Sequence, residues 1–320
     1  MLCSRSAAPP MTHPFSIALR VGIFVLLMGS ALFVHLRGRA RFGLMKAFTD
    51  YTVLLAPYNM LMVLFSRVKA TPYAPVTAFP ELAVLQAHWQ EIREEALSLN
   101  EAGRIGVATG YNDMGFNSFF RSGWKRFYLK WYGEELASAK ASCPRTVELL
   151  NKIPSVKGAM FASLPPEGKL VRHRDPYAGS LRYHLGLFTP NSPDCYIEVD
   201  GQRYFWKDGE AVVFDETFIH HAANTTDQQR VILFCDVERP LHGRILAAIN
   251  RWFANNIMAA SAAPNEVGEH VGGINRFFQV AYKVRLQTKK LKANHRRTYY
   301  VSKWVAIIGG LYLIFFSWLL

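Results

Sequence analysis

"CYIEVDGQRYFWKDGEAVVFD" (residues 195–215) packs three β-favouring runs into 21 residues and separates them with Asp200-Gly201 and Asp208-Gly209. Asp-Gly between runs rich in Val, Ile, Tyr and Phe is a tight-turn signal, so this stretch predicts three short antiparallel strands. Similar runs lie on both sides: "GAMFAS" (158–163) and "LRYHLGLF" (181–188) before it, "HHAAN" (220–224) and "RVILFCDV" (230–237) after it. Seven short strands at this spacing predict a mainly β fold, a double-stranded β-helix or jelly roll, with flanking helices. Leu82, Leu85, Trp89, Ile92 and Ala96 recur at three- and four-residue steps and predict a helix over 80–106; "CPRTVELLNKIP" (143–154) reads as a shorter one.

The rest of the chain is basic and apolar. Lys and Arg number 37 against 24 Asp and Glu in 320 residues, a net charge of +13. No nucleic-acid motif accompanies that charge, and the basic residues cluster beside apolar segments, which points to a membrane surface. Residues 14–36 are a span-length apolar run, followed by Arg37, Arg39 and Arg41. That basic cluster resists export, so an anchor with its C-terminal end in the cytoplasm is expected rather than a signal peptide. Residues 51–66 are apolar but short, with Pro57 and Asn59 inside, and read as an interfacial or re-entrant segment. The C-terminus repeats the theme, with the basic "KKLKANHRRTYYVSK" (289–303) ahead of the apolar 304–320. The expected organisation is an anchor over 1–42, an interfacial segment and linker over 43–79, a catalytic domain over 80–240, basic amphipathic helices over 241–303 and a second anchor over 304–320. Four scattered cysteines, Cys3, Cys143, Cys195 and Cys235, lack paired spacing and read as reduced thiols.

Chemistry concentrates in "HRDPYAGSLRYHLGL" (173–187). Charged groups in strands need partners, and His173, Asp175, Arg182 and His184 crowd together here. Residues i and i+2 of an extended chain point the same way, so His173 and Asp175 converge. With a histidine from "FDETFIHHAAN" (214–224), either His220 or His221, they form the two-histidine, one-carboxylate set of non-haem Fe(II) oxygenases. Arg230 follows ten residues after His220, opening an apolar strand. A buried arginine there needs an anion, and its planar fork suits the carboxylate of 2-oxoglutarate.

"WKRFYL" (124–129), "CPRTVELLNKIP" (143–154), "SLPPEG" (163–168), "HRDPYAGSLRYHLGL" (173–187), "DGEAVVFDETFIHHAAN" (208–224) and "RVILFCDVERP" (230–240) together resemble the aspartyl/asparaginyl β-hydroxylase family of Fe(II)- and 2-oxoglutarate-dependent dioxygenases. The resemblance runs from about Trp89 to Pro240, and it favours His220 as the distal ligand. It implies that Ser163, Arg182 and His184 join Arg230 around 2-oxoglutarate, with dioxygen as co-reactant. The animal branch of the family has glycine where this chain has Asp175; with the carboxylate present, a full triad is expected. The two expected anchors narrow the resemblance to the lipid A acyl-chain 2-hydroxylases of the bacterial inner membrane, with the catalytic domain cytoplasmic. Ornithine lipid, or an Asp or Asn of a protein, is the alternative substrate. No nucleic acid and no obligate protein partner is expected. "FRSGWKRFYLKW" (120–131) offers Arg121, Lys125, Arg126 and Lys130 as lipid-phosphate contacts, the competing reading being an amphipathic helix with a solvated basic face.

Overall fold

The computed structural model describes residues 14–43, 50–107 and 113–313. Its centre is mostly β. The larger sheet takes β1 (Tyr73–Ala74), β2 (Lys125–Trp131), β3 (Glu134–Glu135), β4 (Val156–Leu164), β6 (Ser180–Phe188), β9 (Ala211–Phe214) and β11 (Arg230–Glu238), in the order β1-β9-β6-β11-β4-β2-β3. The smaller takes β5 (Lys169–His173), β7 (Cys195–Val199), β8 (Gln202–Phe205) and β10 (His220–Asn224), in the order β5-β10-β7-β8. Every strand pairing is antiparallel. From β4 to β11 the chain changes sheet at each step except the β7–β8 hairpin, which turns at Asp200-Gly201 with both residues at positive φ (51° and 82°). Side chains of both sheets meet in an apolar interior that includes Ala162, Ile232 and Phe234 of the larger sheet and Ile197 and Ala222 of the smaller, while Phe161, Leu185 and Leu233 alternate to the opposite, helix-covered face.

Helices cover the larger sheet. The segment expected as one helix over 80–106 is a 3₁₀ turn (Pro80–Leu82) and two helices, α3 (Ala83–Ala87) and α4 (Trp89–Glu101), broken at His88 where φ is −108° and ψ 24°. α4 packs on β6, while α5 (Ala137–Ser142) and α6 (Pro144–Asn151) pack on β2. With both faces covered, β6 and β11 are buried along nearly their whole length.

The N-terminal apolar run forms α1 (Pro14–Leu36); from Ala18 to Leu36 it is long and apolar enough to cross a membrane, with a mean hydropathy of 2.0, and it exposes Leu19, Ile23, Val25 and Leu26. Residues 51–64 form a 3₁₀ turn (Tyr51–Leu55) and α2 (Ala56–Leu64). α2 buries Ala56, Asn59, Met62 and Val63 and exposes Leu61 and Leu64. Asn59, which interrupts the apolar run, grips the loop after Asp175: its Nδ2 donates to the Pro176 carbonyl (2.8 Å) and its Oδ1 accepts from the Ala178 N–H (2.9 Å). After the sheets come α7 (Arg244–Phe253), α8 (Gly273–Asn294) and α9 (Arg296–Leu311). α9 starts inside the basic stretch and runs on into the apolar one; residues 314–320 of the expected second anchor, and Cys3, lie outside the described residues. Cys143, Cys195 and Cys235 are buried and free.

Candidate functional site

The end of β5 and the start of β10 are register partners, which sets His173 opposite His220 with their rings 4.2 Å apart. Asp175 lies just past the end of β5, and the ligand atoms of His173, Asp175 and His220 all fall within 4.8 Å of one another. Both imidazoles are oriented from behind. His173 Nδ1 lies 2.7 Å from the Val171 carbonyl and His220 Nδ1 lies 2.9 Å from that of Phe218. An N–H donated there leaves each Nε2 lone pair free for a cation. Burial, and then His173 beside it, holds His220 down at about 3, so its ring is neutral. Burial alone would raise the Asp175 carboxyl, but Arg182, His220 and His173 outweigh it and bring the net shift below the ordinary value. Two imidazoles and a carboxylate are a donor set for a divalent transition metal with open positions. His221 turns to the other side of the strand, its Nδ1 3.8 Å from Glu198.

A buried charge cluster backs the carboxylate. Arg182 holds Asp175 Oδ2 with Nη2 and Asp236 Oδ1 with Nε, each at 2.8 Å, and Glu216 Oε1 lies 4.0 Å away. The guanidinium lies over the Phe234 ring, 3.8 Å from its centroid. Tyr132 donates to Asp236 Oδ2 (3.1 Å) and Ser180 to Glu216 Oε1 (2.8 Å). Burial, opposed by Arg182 and reinforced by Asp236, pushes the Glu216 carboxyl up to about 8. Arg182 is therefore committed to protein carboxylates, one of them a candidate metal ligand, rather than free for a cosubstrate.

Arg230 is in the opposite state. It is 2% exposed, its Nε and Nη2 have no hydrogen-bond partner among the described residues, and its guanidinium sits 4.4 Å from the centroid of the Trp206 ring. Burial lowers it to about 10. His184 nearby has neither ring nitrogen bonded among the described residues, and burial followed by the Arg230 charge holds it well below its ordinary value. Arg230, His184 and the triad line one cavity, walled by Phe116, Phe119, Trp124, Phe214 and Phe234. An unpaired buried cation at the end of an apolar cavity is stabilised by an anion entering it. The donors present thus fit both a metal and a carboxylate-bearing cosubstrate.

Besides the role expected of Arg182, two more expectations change. Ala162 lines the cavity, opposite Ile232 of β11, whereas Ser163 pairs with Val231 and by strand alternation faces the other side. Arg126 is not a surface contact: "KRFYLKW" (125–131) is β2, not a helix, and Arg126 is 3% exposed with Nε 2.9 Å from Asp113 Oδ2. Lys125 is exposed, Lys130 Nζ reaches Asn151 Oδ1 (3.5 Å), and Arg121 donates to the Tyr282 hydroxyl (3.0 Å). Asp236, Glu216 and Trp206 were not singled out in the sequence. The only signal for Asp236 is register, since it is the β11 partner of Arg182, a pairing invisible without the sheet, while Glu216 and Trp206 lie just past the ends of β9 and β8.

Residues 86–240 match the Aspartyl/Asparaginyl beta-hydroxylase family, so this part of the chain carries a domain of that family, as the resemblance implied. The chain is 42% identical over 119 residues to an ornithine lipid ester-linked acyl 2-hydroxylase of Rhizobium tropici, covering 37% of this chain and 42% of that one. It is 27% identical over 170 residues to a Homo sapiens aspartyl/asparaginyl beta-hydroxylase, covering 51% of this chain and 22% of that one. The matches thus span less than half the length of these relatives. Among solved structures it is similar to a Pseudomonas putida prolyl-4-hydroxylase (16% identity, TM-score 0.34, 48% of this chain, 88% of that chain), a likeness too distant to bear on function.

Proposed function

We propose that the protein is a membrane-bound Fe(II)- and 2-oxoglutarate-dependent dioxygenase, built on a jelly roll, that hydroxylates C2 of a lipid acyl chain at the cytoplasmic face of a bacterial inner membrane, with lipid A as substrate. One observation carries the reading: a convergent His173–Asp175–His220 triad and an unpaired, buried Arg230 share a single cavity. Iron, 2-oxoglutarate and dioxygen would supply the oxidising chemistry that turns an acyl C–H into C–OH. The chain's own residues do the rest. His173, Asp175 and His220 would hold the metal, Arg182 fixes the Asp175 carboxylate, and Arg230 would take the distal carboxylate of the cosubstrate as a bidentate anion. The aromatic wall formed by Phe116, Phe119, Trp124 and Phe234 keeps water from the reacting carbon. No side-chain acid or base is required.

A lipid substrate is supported by α1 and by the exposed apolar faces of the helices beside the domain: Leu61 and Leu64 on α2, Ile245, Ile249 and Trp252 on α7. Ornithine lipid is the second reading, favoured by the 42% identity to a relative of that name. The test is to purify the protein in detergent and offer lipid A, ornithine lipid and an Asp-containing peptide in parallel, following succinate and the added oxygen by mass spectrometry. Hydroxylated lipid A is the expected result. Hydroxylated ornithine lipid with untouched lipid A moves the substrate to the second reading, and hydroxylated peptide alone overturns the membrane reading.

A further inference from the structure

The first residue after α1 leaves the apolar run and enters the catalytic domain. Arg37, read in the sequence as part of a basic collar, has a side chain only 9% exposed. Its Nη2 lies 3.1 Å from Asp215 Oδ2 and donates to Thr217 Oγ1 at 2.7 Å, and its guanidinium stacks 3.9 Å from the centroid of the Phe218 ring. Three residues on, the Ala40 N–H donates to Asp200 Oδ1 at 2.7 Å, and Asp200 in turn donates its own N–H to the Ile219 carbonyl at 2.9 Å. The segment 37–40 therefore grips the turn 215–219 from one side.

That turn is what orients two of the three candidate ligands. The Glu216 carbonyl accepts from the Asp175 N–H at 2.9 Å, and the Phe218 carbonyl faces His220 Nδ1 at 2.9 Å. We propose that Arg37 is a positioning residue for the metal site, fixing through Asp215, Thr217 and Phe218 the two carbonyls that aim Asp175 and His220, so that metal affinity depends on the docked end of the membrane helix. The inference rests on the metal-site reading above. It differs from a purely architectural role because Asp215 does not need Arg37 for charge balance. Arg239 also holds Asp215 Oδ2, at 3.0 Å, and is itself anchored on the Ala178 and Ser180 carbonyls. Removing Arg37 leaves that carboxylate paired while freeing the turn to shift.

The experiment uses the full chain in detergent and Co(II) as probe, whose visible spectrum reports ligand geometry and whose titration reports affinity. Loss of a group that orients a metal ligand costs about 10- to 100-fold in affinity. Arg37→Ala is expected to weaken Co(II) by at least about tenfold and alter its spectrum, with a melting temperature close to that of the unchanged chain. Arg37→Lys is expected to recover part of the affinity, since an amine reaches Asp215 but cannot also hold Thr217 and stack on Phe218. If Arg37→Ala does not fold, Arg37→Gln, which keeps a donor for Thr217, serves in its place with a smaller shift expected. Unchanged affinity and spectrum in a folded Arg37 variant overturn the inference while leaving the metal site standing. Co(II) binding that is absent from the unchanged chain, or that persists at the same affinity in His220→Ala, overturns the metal-site reading itself.

Discussion

Arg182 and Arg230 lie on adjacent strands of one sheet, line one cavity and are both buried, yet they live under opposite conditions. Arg182 meets Asp175, Asp236 and Glu216; Arg230 meets an aromatic ring and, among the described residues, no anion. A buried cation whose partners are all on the chain is scaffold, and one left without partners marks where a ligand belongs. Burial and residue type alone do not separate the two.

The largest effect is expected where the two arginines' territories meet, at the triad. His173→Ala, Asp175→Ala and His220→Ala should each lose turnover entirely while keeping a folded domain, as seen by circular dichroism; substantial activity in purified His220→Ala would remove the metal assignment. Arg182→Ala comes next. It leaves Asp175, Glu216 and Asp236 facing one another without their cation, and breaking a buried pair in this way costs about 3–5 kcal/mol of stability. Urea unfolding measures it, and a midpoint within error of the unchanged chain would contradict the scaffold role. Arg230→Ala should instead weaken 2-oxoglutarate, since losing the buried partner of a bidentate anion typically costs about 2–5 kcal/mol of binding. Its half-saturation should rise by several tenfold factors, and Arg230→Lys should recover only part.

The contrast is sharpest in the ligand-free protein. Arg230→Met deletes an unpaired buried charge and fills its space with an apolar chain, so it should leave stability unchanged or raise it by about 1 kcal/mol, whereas Arg182→Met should destabilise. Differential scanning calorimetry of both variants gives the comparison directly. Smallest of all, His221→Ala and Ser163→Ala should leave 2-oxoglutarate half-saturation unchanged, because both side chains turn away from the cavity.

Much of this was legible in the sequence. "HHAAN" is β10 residue for residue, and the runs at 181–188 and 230–237 miss β6 and β11 by one residue. Those strands carry their own signal, because apolar runs between Asp-Gly and Asn-Ser-Pro turns are local patterns. β5 carries none: Lys169, Val171 and Arg172 are exposed, and no apolar alternation marks it. β2 mixes basic and aromatic residues in a way that suits a helix as well as a strand, and only pairing with β4 decides it. The convergence of His173 and Asp175 was readable because His-x-Asp is a local spacing, whereas the choice of His220 over His221 came only with the family resemblance. The roles of Arg182, Asp236 and Arg37 were not, because each depends on a partner that folding brings from a distant part of the chain.

β5 is one of the two edge strands of the smaller sheet, bonded on one side only, and His173 is its last residue. A segment with fewer buried contacts and more exposed backbone hydrogen bonds opens locally at lower free energy. One of three candidate ligands thus sits on an edge strand, while His220 sits on β10, paired on both sides by β5 and β7. Metal exchange should then follow local fraying rather than global unfolding. A chelator would strip the site from the β5 side at a rate indifferent to substitutions deep between the sheets, and the emptied protein would reload without refolding.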